Sequence, residues 1–151
     1  MQIALSRTVT ADADAVFALI TAPERLPEWN AVIRATLDSP PVLAPGAQWL
    51  VQLHALGQSW TSRSTVTTLD PSARVFAYQS QTDDGNPSHA DWTWQIMPNA
   101  EGCEVRVAVD VCPETFWRRA LLARIRTHQL RDEIPRSIES LAVVATAVQQ
   151  P

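Results

Sequence analysis

Residues 2–10 alternate, with Ile3, Leu5 and Val9 set against Ala4, Ser6 and Thr8, and this period of two predicts a first strand. Asp12 then suits a helix N-cap, and Asp14 falls in the first turn, where the helix dipole favours an anion. Val16, Phe17, Leu19 and Ile20 supply the buried side of a short helix. Pro23 fits the N1 position of a second, very short helix, with Pro27 close behind. From Ala31 to Cys112 the period returns to two, with strands expected at 31–38, 47–56, 58–69, 73–82, 89–97 and 103–112. The breaks carry turn chemistry, including Gly57, Asp70-Pro71 and the run Asp83-Asp84-Gly85-Asn86-Pro87. Links this short imply an antiparallel meander rather than strand–helix–strand units. A helix over about 115–148 closes the chain, with Trp117, Leu121, Ile125, Ile138, Leu141, Ala142, Ala145 and Val148 at helical spacing and a kink expected at Pro135.

Alternation sorts each strand into two faces. One gathers Trp49, Val51, Leu53, Trp60, Val66, Phe76, Tyr78, Trp92, Trp94, Ile96 and the valines from Val105 to Val111. The other gathers Gln48, Gln52, His54, Thr61, Arg63, Thr65, Asp91, Thr93, Gln95, Glu104, Arg106 and Asp110. A sheet with one apolar and one polar face meets a core on one side and water on the other, and the long helix is the element available to cover it. A single helix does not fill the hollow of a curved seven-stranded sheet unless very large side chains occupy the remainder. Trp49, Trp60, Trp92 and Trp94 lie on the apolar face, Trp117 lies on the covering helix, and Trp29 ends the two-helix segment. These indoles are either plain filler or the lining of a cavity suited to an apolar or aromatic guest.

At 151 residues the chain is expected to form a single domain spanning 1–151. A net charge of −4 argues against general nucleic-acid binding. All twelve cations are arginine, so a lysine Schiff base or lysine general base is excluded. The start of the chain lacks a secretory-signal pattern and no apolar run reaches spanning length, so no integral membrane segment is expected. Cys103 and Cys112 would stand roughly 30 Å apart if they share one extended strand, beyond disulfide reach. Two free thiols suit a cytoplasmic location.

The order of landmarks carries a resemblance. The Asp12-to-Trp29 segment is similar to the opening of the SRPBCC, or START-like, superfamily, especially its polyketide cyclase/dehydrase and lipid-transport branch. Gly46 before a strand, the stretch from Val66 to Pro71, and Trp92-Thr93-Trp94 ahead of Gly102 look like later landmarks of the same group. The resemblance implies an α+β helix-grip fold: a curved seven-stranded antiparallel sheet around a long C-terminal helix, with two short helices after the first strand and a deep pocket between sheet and helix. It also implies a hydrophobic small molecule as partner, lipid-like, polyketide or aromatic. It supplies no catalytic residue, because the group has no universal catalytic motif. Pro135 departs from its usual pattern.

Three functional readings follow. The first is a binding protein, monomeric or homodimeric and without a cofactor, whose ligand meets Trp29, Trp49, Trp60, Trp92, Trp94, Trp117, Leu121 and Ile125 and is oriented by Ser62, Ser64 and Tyr78. The second is a polyketide cyclase/dehydratase in which His128 and Asp132 form an oriented base and Arg124 binds an anionic oxygen, all spaced four apart on one helical face. The competing reading of that trio is a solvated helix stripe making ordinary ion pairs. The third is a protein- or membrane-interaction module, because 117–136 holds six of the twelve arginines. No metal site is expected: His54 falls on the polar face and His89 follows a turn, so neither converges with His128, and both are expected to be exposed.

Overall fold

A computed structural model describes residues 2–55, 57–84, 87–114 and 117–149, without the side chains of 117–123 and 148–149. Among these residues the chain forms β1 (Gln2–Val9), α1 (Ala13–Ile20), a 3₁₀ turn (Pro23–Arg25), α2 (Leu26–Trp29), β2 (Ile33–Asp38), β3 (Gln48–Ala55), β4 (Gln58–Asp70), β5 (Val75–Thr82), β6 (His89–Asn99), β7 (Gly102–Cys112) and α3 (Trp117–Gln149). The strands make one antiparallel sheet in the order β1-β7-β6-β5-β4-β3-β2, a meander whose last strand returns to pair with the first. The α+β helix-grip fold expected from the sequence is the one formed.

Local chemistry explains where elements start. Asp12 caps α1, its Oδ2 accepting from the backbone N–H of Asp14 at 3.1 Å and of Ala15 at 3.2 Å. Asp12→Ala is expected to lower stability by about 1 kcal/mol, read as a lower urea midpoint. β2 begins at Ile33 rather than at 31, because Asn30 Oδ1 accepts from the N–H groups of Val32 and Ile33 and holds the chain in a turn. β5 begins at Val75 rather than 73 for the same reason: Asp70 Oδ1 accepts from Ser72 and Ala73. Gly57 turns the β3–β4 hairpin with φ at +74°, a conformation that costs glycine little.

α3 runs through Pro135 as one continuous helix. Packing outweighs the single missing N–H, since Leu130, Ile134, Ile138, Leu141 and Ala145 are all buried along one side. This side fixes the rotation of the helix and overturns one expectation. Ile125 precedes Ile138 by roughly 220° of helical rotation at about 100° per residue, so it points away from the sheet and is 45 % exposed. Trp117 and Leu121, expected beside it, lie outside the described side chains.

The core sits on the concave face, where Trp49, Val51, Leu53, Val66, Phe76, Trp94, Ile96 and the β7 valines are buried as the alternation required. α3 packs against α1, α2, β1 and β7. It therefore covers one side of the sheet closely and stands off from the middle strands.

Candidate functional site

The space left under α3 is a cavity of about 610 Å³, inside the range of roughly 300–1,000 Å³ usual for small-molecule sites. β3–β6 supply its floor with Trp49, Val51, Leu53, Trp60, Ser62, Ser64, Tyr78, Ser80, Trp92 and Trp94. Leu26 and Asn30 border it from the α2 end, and Arg126, Leu130, Glu133, Ile134 and Ser137 border it from α3. These residues share one chamber because strand positions two apart face the same way, and helix positions three, four and seven apart do the same.

Its aromatic wall is continuous. Trp49 meets Tyr78 edge-on at 4.9 Å between ring centres, Tyr78 stacks with Trp92 at 6.0 Å, and Trp92 stacks with Trp94 at 6.2 Å with only 7° between planes. Cross-strand register places them so, since Tyr78 pairs with Trp92. Trp29 meets Trp94 edge-on at 5.7 Å, but it does not reach the cavity. It is 2 % exposed, packed beneath the wall rather than at a rim, with its indole N–H lacking a partner among the described residues. The expectation that Trp29 touches a ligand is corrected accordingly: α2 turns its Leu26 toward the chamber and uses Trp29 as a support.

Polar groups on the wall are mostly committed. Trp92 Nε1 donates to Ser80 Oγ at 3.2 Å, and Ser62 Oγ donates to the Gln81 carbonyl at 3.0 Å. Trp94 Nε1 donates to the Tyr78 hydroxyl at 3.2 Å. That bond occupies the phenolic oxygen as acceptor and leaves its proton without an acceptor among the described residues. Burial raises the Tyr78 hydroxyl well above its ordinary pKa, and the Trp94 bond offsets this only in part. Tyr78 is thus a neutral donor, not a base. Ser64, 3 % exposed and lining the cavity, has no side-chain partner among the described residues either.

One feature of α3 was not legible beforehand. Arg126 Nη1 lies 2.6 Å from Glu133 Oε1, two helical turns on, and also donates to Gln129 at 3.3 Å. Its guanidinium stands 5.4 Å over the Trp60 ring. Glu133 is 5 % exposed, so this pair closes one side of the chamber and ties α3 to β4. The i, i+7 spacing was the available signal, hidden among six arginines that read together as one solvated stripe.

The proposed base does not assemble at the cavity. Arg124, His128 and Asp132 are all exposed, and Asp132 pairs with Arg136 at 2.9 Å, the ordinary i, i+4 contact of a solvated helix. None of the three borders the chamber. His54 bonds to Ser59 Oγ at 2.8 Å on β3. His89 was expected to be exposed, yet its side chain is only 15 % exposed, with the Pro87 carbonyl and the Glu114 carboxylate beside its ring. The Cys103 thiol is pushed up to about 11 by burial and by the nearby Asp12 carboxylate, which makes it a small hydrophobe and a poor nucleophile.

A sheet gripping one long helix around a ring-lined hollow defines the helix-grip class. The chain belongs to the polyketide cyclase/dehydrase and lipid transport family, whose model matches residues 1–145, and thereby to the SRPBCC superfamily. A search among curated proteins finds no match. Solved structures of the same shape include the Zhui aromatase/cyclase from Streptomyces sp. R1128, with a TM-score of 0.72 and 19% identity over 97% of this chain and 93% of that one. TTHA0849 from Thermus thermophilus has a TM-score of 0.73 and 17% identity over 99% of this chain and 100% of that one. The di-domain aromatase/cyclase BexL of the BE-7585A biosynthetic pathway has a TM-score of 0.76 and 18% identity, with all of this chain covering 48% of that one. At these identities the likeness is one of fold. Among the described residues no helix is long and apolar enough to cross a membrane.

Proposed function

We propose that the protein binds an apolar small molecule containing aromatic or fused rings and at least one oxygen acceptor. The observation that carries this reading is the Tyr78 hydroxyl. It sits in an aromatic wall with its oxygen occupied by Trp94 and its proton directed to no protein group among the described residues. A flat guest gains apolar burial and ring contacts along Trp49, Tyr78, Trp92 and Trp94. A carbonyl or phenol oxygen on that guest would accept from Tyr78, with Ser64 as a second hydroxyl within the same chamber.

Confinement of this kind also supports a cyclase reading, since the Zhui and BexL structures are those of aromatase/cyclases. In that case Tyr78 would hold a carbonyl oxygen as donor, and the folding of the chain against the rings would supply orientation. His128 and Asp132 have no part in it.

Titration of intrinsic tryptophan fluorescence with a panel of polycyclic phenols, quinones and fatty acids tests the reading. Ring compounds are expected to quench the signal saturably. Tyr78→Phe is expected to weaken oxygen-bearing ligands about three- to tenfold, the net worth of one hydrogen bond, while leaving purely hydrocarbon rings unaffected. A panel with no saturable binder, together with empty protein by native mass spectrometry from its source, would refute it.

A further inference from the structure

Outside the aromatic wall, a second group of side chains converges where the start of β6 meets the end of β7. His89 opens β6 and Cys112 ends β7, and the two are direct cross-strand partners. Asp91 lies two residues along β6 from His89, so it projects from the same face of the sheet. The register thus brings an imidazole, a carboxylate and a thiol together at one strand end. Their donor atoms all lie within 4.8 Å of one another.

The separations are close to those of a metal coordination shell. His89 Nε2 is 3.6 Å from Asp91 Oδ2, and Cys112 Sγ is 3.9 Å from the same oxygen. A tetrahedral ion with arms of about 2.0–2.3 Å requires ligand-to-ligand edges of about 3.3–3.8 Å. Two edges are therefore nearly in place without moving the backbone.

The far side of the imidazole is also arranged. His89 Nδ1 is 3.4 Å from the Pro87 carbonyl and 3.7 Å from Glu114 Oε1. With a metal ion on Nε2 the ring proton would sit on Nδ1, facing the Pro87 carbonyl as its acceptor. A supporting carbonyl or carboxylate behind a histidine is the usual outer arrangement of a metal-bound imidazole. The Glu114 N–H in turn donates to Ser88 Oγ at 3.1 Å, which ties the segment after β7 to the turn before β6.

We propose that His89 Nε2, Asp91 Oδ2 and Cys112 Sγ form a zinc site where the start of β6 meets the end of β7, with the fourth position open. One thiolate with one imidazole and one carboxylate suits zinc better than magnesium or calcium, which take oxygen ligands. Binding would release the Cys112 proton and lock the start of β6 to the end of β7, just before the chain enters α3. His89 and Cys112 lie at the margin of the chamber, whereas Asp91 projects from the polar face of the sheet, opposite Trp92 and Trp94. The expectation of no metal considers only convergence of three histidines; the group that converges is mixed.

Titration of the reduced, metal-free protein with zinc chloride and with cobalt chloride tests the site. One equivalent of zinc per chain is expected, and the cobalt form is expected to show the near-ultraviolet charge-transfer band of a thiolate–cobalt bond. C112S should abolish that band while C103A retains it, and both C112S and D91N should weaken zinc by more than the 10- to 100-fold typical of losing an outer-shell partner. A cobalt spectrum of the unaltered protein without the thiolate band overturns the proposal, as does zinc affinity unchanged in a folded C112S. The spectrum of the unaltered chain decides the matter even if a variant does not fold. Neither readout depends on the organic ligand, so the outcome is separate from that of the cavity.

Discussion

Trp94→Ala is expected to destabilise the protein by about 3–5 kcal/mol, which for a chain of this size is a fall of roughly 6–20 °C in melting temperature. The indole is 2 % exposed and stands at the junction of the wall, stacked on Trp92, edge-on to Trp29 and bonded to Tyr78. Removing it leaves a void among rings that surrounding strands hold apart, so collapse relieves little of the loss. Set against a typical total stability of about 5–15 kcal/mol, the effect is a large share. Trp94→Phe separates the two roles of the residue. It keeps most of the ring volume and is expected to cost less than half as much, while freeing the Tyr78 oxygen to accept as well as donate. Thermal unfolding followed by circular dichroism measures both variants. An alanine variant that melts within a degree or two of the parent would show that Trp94 is not a keystone of the core.

Gly102→Ala is expected to cost about 2–4 kcal/mol, although it adds only one methyl group. Gly102 has φ at +145°, outside the region side chains adopt. A Cβ there would also lie 2.8 Å from both Ala11 O and Thr10 C, and closer still to Val9 O. All three are backbone atoms at the crossing from β1 into α1, so none yields by a side-chain rotation. Gly57→Ala is the internal comparison: it has φ at +74° but nothing within 4 Å of the added carbon, so it is expected to cost only about 1 kcal/mol. The difference between the two variants in urea unfolding isolates the steric part. Equal costs would mean that the crossing chain moves aside freely.

Strand faces were legible in the sequence because a period of two is a local property. Ser62, Ser64 and Tyr78 among the apolar positions of β4 and β5 could be placed on the concave side from parity alone, and the cavity floor holds them there. The rotation of α3 was not legible to the same degree. Its apolar residues drift around the axis, and the choice between the Ile125 side and the Ile138 side depends on which stretch meets the sheet. The same ambiguity made Arg124, His128 and Asp132 resemble a site and hid Arg126 and Glu133. Trp29 shows a further limit: composition marks a tryptophan as buried or interfacial, but only packing decides whether its ring faces a cavity or backs the wall. His89, Asp91 and Cys112 converge through pairing between strands, which no spacing along the chain reveals.

The return of β7 to β1 has a consequence for synthesis. Gln2 pairs with Asp110 and Val9 with Cys103, partners roughly a hundred residues apart, whereas β3 through β7 pair with sequence neighbours. While a ribosome makes the chain from its N-terminus, β1 emerges first and waits for its partner until β7 has also emerged. During that interval it is an unpaired strand carrying Ile3, Leu5 and Val9, the kind of edge that attracts other chains. The charge of Arg7, set between Leu5 and Val9 in the same alternation, places a solvated group in the middle of that edge. Arg7 thus interrupts the row of apolar side chains on the strand that waits longest for its partner.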